Sequence, residues 1–510
     1  MTKRTLLALI AILLLSTALL FYDLGGPSLS VDEFTNVLIE RGSLPHLLEA
    51  LRLGADLHPP LTHLVMNGWL SIVKETEWTV RLPWVVVGLL NILLVYRLGQ
   101  QLINRHVGLL AALLVATAPT FILYMRFEKY YSLTILLSLA LILAGLRLWR
   151  RPNWRSASVY GVVLVMLLYT DYFAPLFLVL GQDVLVLLYG RTKKRILFFG
   201  LPQVIAAVLY LPWFSLMLVQ VRAVQGLSEA DLGASWSGLL IKLGYWGYSL
   251  SVGETLFPWR ITAIIGLLVT LLLGAVGVRA LWGKVSAAGD VRPLPTMVWL
   301  LVTPVLGAAL LASFSFLGVP FIAFPNHILF TLPLFLLFIA AGLAAVPRTG
   351  WLIVVMAAFF LPRGVALYNY YTGQEFHNPI YTVPIREITQ NLRARVQSGD
   401  VIISDPDTGF QYYYDQDVHP APALASMPQS TALLYVQTQH PTRVWLLTLG
   451  RDRTREAAPD QLVEWLNANY RLVMTQGYAP QAETYRKVKE QLLHRPSYEF
   501  KLLIQLFEQP

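Results

Sequence analysis

Two adjacent carboxylates, Asp32 and Glu33, follow the first apolar segment of the chain, which runs from about Leu6 to Phe21. A charge close to hydrocarbon is costly, and two neighbouring carboxylates repel each other. We therefore expect at least one of them to meet a cation, a proton or a substrate. A carboxylate placed in this way could act as a general base on an acceptor hydroxyl or amine during group transfer.

The same residues also fit a structural role. Ser30, Asp32 and Glu33 could open a helix that continues through Val37 and Ile39, because such side chains satisfy the first backbone N–H groups and complement the helix dipole. The two interpretations are compatible, since a helix start is a good place to present a carboxylate.

A second polar segment reads Asp56-Leu-His58-Pro59-Pro60. The prolines keep the residues before them extended and suit the start of a helix. His58 could bind a phosphate or a metal there, or cap the following helix. His63 lies five residues further on, and its role is open.

A third segment, Tyr124 to Tyr131, contains Arg126, Glu128 and Lys129 among aromatic residues. Arginine and lysine are natural ligands for phosphate or pyrophosphate. The alternative is an interfacial anchor with an internal ion pair that involves Glu128.

Two further segments carry polar groups at the ends of apolar runs: Asp171 with Tyr172, and Asn326 with His327. Each could belong to a site or be a satisfied polar group of the structure.

The composition shows what must position these residues. The chain has 510 residues, of which 56% are hydrophobic and 14% charged, whereas soluble domains carry roughly 25% charged residues. Recurring apolar runs of membrane length indicate a polytopic α-helical membrane protein. The absence of cysteine excludes disulfides, thiolate metal sites and a cysteine nucleophile.

The net charge of +9 is typical of basic residues collected in cytoplasmic loops. This interpretation is favoured over nucleic-acid binding, because no basic helix or arginine-rich arm is present. We predict about eleven spans, of which the first is retained rather than cleaved. Their approximate limits are 5–22, 82–101, 107–124, 131–149, 157–174, 176–190, 196–216, 260–280, 296–316, 328–345 and 350–368.

A cytoplasmic N-terminus places the basic clusters, including Arg191 to Arg195 and Arg348, on the inner side. The apolar segment Pro60 to Val73 is short for a span, and counting it would move basic clusters outside. We therefore expect a first outer loop at residues 23–81, with helices lying along the membrane, and a second at 217–259. Aromatic residues of the second loop suit an interfacial belt, with sugar stacking as the alternative.

Polar residues return after residue 368, and residues 369–510 are predicted to form an extracytoplasmic α/β domain. Strand patterns appear at Val401 to Asp405 and at Arg443 to Leu449. Helical patterns surround them, at Ile385 to Val396 and at Leu462 to Leu466.

The ordered set of motifs over residues 1–350 resembles the GT-C superfamily of membrane glycosyltransferases, in particular the branch of dolichyl-phosphate-mannose–protein mannosyltransferases and lipid A aminoarabinose transferases. The segments that carry the resemblance are Asp32-Glu33, His58-Pro59-Pro60, Arg81-Leu-Pro83, Gly88 to Gly99, Ala118-Pro119, Tyr124-Met-Arg126-Phe-Glu128 and Tyr169-Thr-Asp171-Tyr172-Phe173.

The resemblance implies an inverting transfer of a sugar from a polyprenyl-phosphate carrier on the outer face of the cell membrane. Asp32 would be the general base and Glu33 its acidic neighbour. The donor phosphate would meet His58, Arg126, Lys129 and His327, and substrate would contact Asp56, Glu128, Tyr131, Asp171 and Tyr172. The chain departs from the family pattern at Asn326-His327, where many relatives carry Arg-Tyr, and at Asp171, where histidine is common.

The expected partners are a polyprenyl-phosphate-linked sugar, a lipid, glycan or protein acceptor, and membrane lipids, with no nucleic acid. No cofactor is required. A divalent metal held by Asp32, Glu33, Asp56 and His58 is left open, since no spacing compels it. The alternatives are a lipid or glycan transporter, which should show repeated halves with broken helices, and an inactive partner subunit.

Overall fold

The structure, a computed structural model, describes residues 2–225, 236–286, 291–313, 325–347, 350–414, 423–425, 429–450, 461–493 and 496–510. Residues 226–235 of the predicted second outer loop, the end of the predicted span 296–316, Arg348 and parts of the predicted C-terminal domain lie outside these ranges. The chain divides into two compact units. The first comprises Met1–Leu24 and Ile39–Gln374, and the second comprises Gly25–Leu38 and Glu375–Pro510.

The first unit is built from α-helices. In chain order the helices up to residue 374 are α1 (Lys3–Phe21), α2 (Val31–Glu40), α3 (Leu44–Arg52), α4 (Leu61–Leu70), α5 (Glu77–Leu102), α6 (Arg105–Ala116), α7 (Pro119–Met125), α8 (Tyr131–Arg150), α9 (Trp154–Leu168), α10 (Phe173–Tyr189), α11 (Lys193–Gln225), α12 (Trp236–Ser251), α13 (Ile261–Leu281), α14 (Pro293–Ser313), α15 (Leu332–Ala345) and α16 (Gly350–Thr372). A 3₁₀ helix, Pro325–Thr331, leads into α15. Of α2, only Ile39 and Glu40 belong to the first unit.

The helices confirm a multi-pass membrane protein. Within the described residues, eight helices are long and apolar enough to cross a membrane, and the bent pair α6 and α7 adds one more span if it is counted together. The helices α9 and α10 are apolar but shorter. Every predicted span overlaps one of these elements, while the count of eleven stays a prediction. The helix α4 has ten residues and is about 15 Å long, half of the hydrocarbon core.

The predicted continuous span at 107–124 is wrong in one respect, because α6 and α7 meet at an angle of 63°. The break falls at Thr117 and Ala118, directly before Pro119. Proline has no N–H to donate, and its ring pushes the preceding residue out of the helical region. Ala118 is accordingly extended, with φ −74° and ψ 123°.

The predicted span at 157–174 also ends early, at Leu168. The carboxylate of Asp171 accepts hydrogen bonds of 2.7 Å from the backbone N–H groups of Phe173 and Ala174, at the start of α10. Asp171 therefore caps the start of α10, as acidic residues before a helix commonly do.

Two glycines set the spacing of α13 and α15. A Cβ atom at Gly277 would overlap the carbonyl oxygen of Phe338, and one at Gly342 would overlap the carbonyl oxygen of Leu273. The two backbones touch at this crossing, which only glycine permits. Helices α13 and α15 are thus packed closely against each other.

The second unit contains a five-stranded mixed sheet with the order β2-β1-β3-β5-β4. Strands β1 and β2 pair in parallel, as do β1 and β3, whereas β5 is antiparallel to β3 and β4. The strands are β1 (Asp400–Ser404), β2 (Ala423–Ala425), β3 (Arg443–Leu449), β4 (Arg471–Pro480) and β5 (Phe500–Glu508). The helices are α17 (Ile385–Arg393), α18 (Phe410–Tyr414), α19 (Gln429–Gln439), α20 (Gln461–Asn469) and α21 (Glu483–Leu493).

The core of this unit lies between the sheet and the helices α19 and α20. Val401, Val444 and Phe507 of the sheet are buried together with Val436 and Leu466 of the helices. All five residues of β1 are buried, as expected for a strand with parallel neighbours on both sides. These elements confirm the predicted C-terminal α/β domain, while its side of the membrane stays a prediction.

The segment Gly25–Leu38 contacts the C-terminal residues of the second unit. The N–H of Leu29 donates to the hydroxyl of Tyr413 at 2.7 Å, and the guanidinium of Arg386 donates to the carbonyl of Gly26 at 2.7 Å. Phe34 stacks on Tyr412 with ring centroids 6.4 Å apart. This part of the predicted first outer loop thus shares a unit with residues more than 300 positions away.

Candidate active site

A charged network in the first unit is centred on His63 of α4. Its Nδ1 lies 2.8 Å from Oε1 of Glu40, and its Nε2 lies 2.9 Å from Oδ2 of Asp56. A neutral imidazole has only one N–H, so two carboxylate partners require a proton on both nitrogens. With both partners ionised, His63 is an imidazolium between two carboxylates, and its side chain is only 2% exposed.

The pKa values agree with this assignment. Burial opposes the charge of His63, but its hydrogen bonds to Asp56 and Glu40 outweigh burial and raise its pKa from 6.5 to about 9. Burial also opposes the charge of Asp56, and here the charge and hydrogen bonds of His58, followed by those of His63, hold the pKa well below its usual value. Asp56 is thus an anion held by two histidines.

His58 is oriented by Asp56 and is more accessible than its partners. Its Nδ1 and its backbone N–H lie 2.9 and 3.1 Å from Oδ2 of Asp56. Its ring faces that of Tyr130 at 4.3 Å between centroids, and its side chain is 22% exposed. The bond at Nδ1 directs Nε2 away from Asp56, and Nε2 is the atom that can meet a ligand.

Asp171 and Tyr172 border this network from the start of α10. Burial raises the pKa of the Asp171 carboxyl, while the N–H groups of Ala174 and Phe173 and the charge of His58 oppose that rise. The hydroxyl of Tyr172 contacts the side-chain oxygen of Gln220, whose amide nitrogen donates to the backbone carbonyl of Asp56 at 2.9 Å. Trp213 donates to the same hydroxyl at 3.0 Å.

Tyr131 extends the site toward the 3₁₀ helix. Its ring lies 4.7 Å from that of Tyr130, and its hydroxyl accepts a hydrogen bond of 2.6 Å from the amide of Asn326. The neighbouring His327 stacks parallel to Phe173, with centroids 5.9 Å apart. Asn326 and His327, two of the three residues at which the chain departs from the family pattern, thus contact Tyr131 and Phe173.

The loop between α7 and α8 supplies three further predicted residues. Glu128 is fully buried and adjoins Glu40: burial raises the pKa of the Glu40 carboxyl, and hydrogen bonds with His63 and Glu128 oppose that rise. Lys129 is also buried, and its backbone N–H donates to the backbone carbonyl of Phe127 at 2.9 Å.

Arg126, from the same loop, binds the C-terminal end of α1. Its Nη2 donates to the carbonyls of Tyr22 and Asp23 at 2.7 and 3.0 Å. Its guanidinium lies 5.2 Å from the ring centroids of Tyr370 and Tyr371. A cation at this position complements the partial negative charge of a helix end.

Asp32 and Glu33 lie in the second unit, in the first turn of α2. Glu33 is buried, and its carboxylate accepts a hydrogen bond of 2.9 Å from the N–H of Ser30. This is the reciprocal contact of a capping box, so the structural interpretation holds for Glu33. Asp32 is half-buried.

The structure therefore brings together Asp56, His58, Glu128, Tyr131, Asp171 and Tyr172 within one unit. Sequence reasoning missed Glu40 and Gln220 as members and left His63 without a role. The signal for Glu40 is weak, since a carboxylate at the end of a short helix is ordinary. Its significance depends on His63, which lies 23 residues away.

The sequence leaves open a divalent metal ion at Asp32, Glu33, Asp56 and His58. In the part of the chain that the structure describes, no group of three or more His, Asp or Glu side chains could hold one. The imidazolium of His63 cannot be a ligand, because metal-bound histidine must be neutral. Asp56 is already shared between two histidines, so the divalent metal stays an open prediction.

Known proteins are similar to this chain both in sequence, over part of its length, and in fold. Residues 57–219 match the family model described as dolichyl-phosphate-mannose-protein mannosyltransferase. No curated protein sequence matches the chain.

Among solved structures, ArnT from Cupriavidus metallidurans bound to undecaprenyl phosphate is 12% identical with a TM-score of 0.56, and the match covers 98% of this chain and 97% of ArnT. The archaeal oligosaccharyltransferase AglB from Archaeoglobus fulgidus, in complex with an inhibitory peptide and a dolichol-phosphate, is 10% identical with a TM-score of 0.50, over 99% of this chain and 88% of AglB. The apo form of the A. fulgidus oligosaccharyltransferase gives 10% identity and a TM-score of 0.53, over 99% and 88%.

These similarities confirm the resemblance that the motifs indicate. The chain is a multi-pass membrane protein with the fold of the GT-C glycosyltransferases, and over residues 57–219 it is similar to the dolichyl-phosphate-mannose-protein mannosyltransferase family.

Proposed function

We propose that this protein is an inverting glycosyltransferase that moves a sugar from a polyprenyl-phosphate carrier to an acceptor on the extracytoplasmic face of the membrane. The observation that carries the proposal is the pair of Asp56 and His58. A buried carboxylate anion holds a partly exposed imidazole by Nδ1 and leaves Nε2 for a ligand. This arrangement suits a contact with the phosphate of a lipid carrier.

The reaction needs a base and a stabilised leaving group. Asp32 takes the proton from the acceptor hydroxyl or amine, and the acceptor atom attacks the anomeric carbon from the side opposite the phosphate. The bond between that carbon and the phosphate oxygen breaks, and its electron pair stays on the oxygen. Polyprenyl phosphate leaves as a monoester, and cations near it stabilise the developing charge.

His58, Lys129 and Arg126 are the proposed ligands of that phosphate. Arg126 already uses Nη2 at the end of α1, so its contribution is the positive charge and its remaining N–H groups. Asp171 and Tyr172 lie next to His58 and would contact the sugar or the acceptor. Glu33, as a cap of α2, holds the turn that presents Asp32.

Support also comes from the proteins of similar fold, two of which were solved with undecaprenyl phosphate or a dolichol-phosphate. Those ligands are the class of donor carrier proposed here. The experiment below identifies the sugar and the acceptor. The acceptor classes are protein hydroxyls, lipids and glycans.

The test uses the full chain, purified and reconstituted in membranes with a panel of polyprenyl-phosphate sugars and acceptors of each class. The readouts are the polyprenyl phosphate released and the acceptor glycosylated, both by mass spectrometry. We expect turnover in the wild type and a loss of at least about 1,000-fold in Asp32→Asn, as expected for removal of a base that acts in the transition state.

Glu49→Gln is the matched control, because Glu49 is an exposed carboxylate of α3, and it should retain activity. No release by the wild type with any donor would reject the enzyme and favour a transporter or a partner subunit. Full turnover in Asp32→Asn would reject only the role of Asp32.

A further inference from the structure

A cavity lies at the far end of the helix bundle from the charged network. It has a volume of about 240 Å³ and lies between α8, α10, α11 and the start of α14. Apolar side chains form most of its wall, among them Ile142, Leu185, Phe199 and Leu300. The cavity is larger than the roughly 150 Å³ space that holds a benzene molecule.

The cavity is separate from the candidate active site. Helix α8 begins at Tyr131, which belongs to that site, and reaches the cavity at Ile142 and Gly145. Gly145 lies fourteen positions after Tyr131 along the helix, which is a distance of about 21 Å.

Two side chains at the cavity have buried polar atoms that lack hydrogen-bond partners within the described residues. Gln182 is 6% exposed, and neither its amide nitrogen nor its amide oxygen is bonded. The indole N–H of Trp149 is likewise buried and unbonded. An unsatisfied buried polar group costs about 1–3 kcal/mol, so a ligand with both acceptor and donor atoms would be bound favourably here.

Two guanidinium groups place positive charge at the cavity. Arg292 lines it and is exposed. Arg195 lies over the ring of Trp149 at 4.6 Å, and its Nε donates to the carbonyl of Trp149 at 3.1 Å. An anionic group is the complement of these cations.

We propose that the cavity binds one anionic glycerophospholipid with a hydroxylated headgroup, of the phosphatidylglycerol type. Its phosphate meets Arg292, and its ester and hydroxyl oxygens pair with the amide of Gln182 and the indole N–H of Trp149. The first part of one acyl chain lies along Ile142, Leu185 and Leu300. The volume accommodates this part of the lipid, and the rest of the molecule stays in the bilayer.

The test measures lipid retention on the full chain. Protein from membranes of phosphatidylcholine with a minor fraction of phosphatidylglycerol is analysed by native mass spectrometry, and a photoactivatable phosphatidylglycerol is cross-linked and mapped. We expect one phosphatidylglycerol retained per chain, cross-links on α8, α10 or α14, and no specific retention of phosphatidylcholine. Glycerol 3-phosphate should not compete, because the acyl chain is part of the binding.

Three variants define the site. Arg292→Gln should weaken phosphatidylglycerol retention about tenfold, the equivalent of about 1.4 kcal/mol. Leu300→Trp should abolish retention by filling the cavity. Should that variant fail to fold, Gln182→Leu, which is close in size, tests the polar contacts and should lower retention severalfold. Arg279→Gln changes an exposed cation at the end of α13 and should leave retention unchanged.

Equal retention of the two lipids by the wild type would overturn the proposal, because the anionic headgroup would then not be recognised. Equal retention by the wild type and by the folded cavity variants would overturn it as well. Effective competition by glycerol 3-phosphate would replace the lipid with a soluble phosphate compound.

Discussion

The two ends of helix α8 carry opposite solutions to the burial of polar groups. At its start, His63 lies between the buried carboxyl groups of Glu40 and Asp56 and is hydrogen-bonded to both. At its end, Gln182 and Trp149 have buried polar atoms with no partner in the described chain. The first arrangement is held together by hydrogen bonds among its own side chains, whereas the second is completed by the proposed ligand. The difference predicts opposite responses to the same kind of substitution.

The largest effect is expected for His63→Leu. The change removes the cation that lies between the buried carboxylates of Glu40 and Asp56. Breaking a buried ion pair in this way lowers the free energy of unfolding by about 3–5 kcal/mol. Thermal unfolding in detergent should show a strongly destabilised protein. His106→Leu, at an exposed histidine of α6, is the control and should change little. Wild-type stability in His63→Leu would disprove the imidazolium assignment.

A smaller effect, mainly on activity, is expected for His58→Gln. The side chain is partly exposed, so the loss of stability should be smaller than in His63→Leu, although Asp56 loses one of its two histidine partners. Turnover should fall about 100-fold, in the range of one lost electrostatic contact to the leaving group. The control is His46→Gln, at an exposed histidine of α3. The readout is the donor-dependent release of polyprenyl phosphate. Equal turnover in both variants would remove His58 from the site.

The pH dependence of stability should come from the network. The folded pKa of His63 is raised to about 9, so its contribution is complete below its unfolded pKa of 6.5 and is lost as the pH rises through about 9. Asp56, whose folded pKa is lowered, contributes above its unfolded pKa of 3.8 and loses that contribution as the pH falls through its folded value.

The variant Glu40→Gln sharpens this prediction, because it removes one of the two carboxylates that stabilise the imidazolium. The alkaline loss of stability should then begin at a lower pH than in the wild type. Melting temperatures measured across the pH range provide the check, and an unchanged alkaline limit would show that another group titrates.

The smallest effect, with the opposite sign, is expected for Gln182→Leu. In detergent without added lipid, removal of the unpaired amide should stabilise the protein by about 1 kcal/mol. In membranes that contain phosphatidylglycerol the gain should vanish, because the wild type then has its ligand. Gln203→Leu is the matched control: its amide donates to Asp183 at 2.8 Å, so its removal should destabilise in both media.

Sequence reasoning located the spans because apolar length is a local property that can be read along the chain. The break at Thr117 and Ala118 was missed, since hydropathy is unaffected by a bend, although Pro119 stood at that point. The role of Asp171 as a cap was likewise hidden inside an apolar window.

The site was predicted only in part, for a different reason. Asp56 and His58 are neighbours in sequence, so their pairing could be suspected. Glu40 and His63 meet only through the fold, and no local pattern announces the contact. The same holds for the segment Gly25–Leu38, which contacts Tyr413 and Arg386, two residues that are distant in the sequence.

The glycine crossing of α13 and α15 has a practical consequence for measurements of motion. Because the two backbones touch at Gly277 and Gly342, this pair of helices cannot approach further and resists sliding. In a chain without cysteine, single engineered thiols can be labelled without background. Probes attached to the outward faces of α13 and α15 would form a fixed reference frame, against which displacements of other elements during a reaction cycle can be recorded.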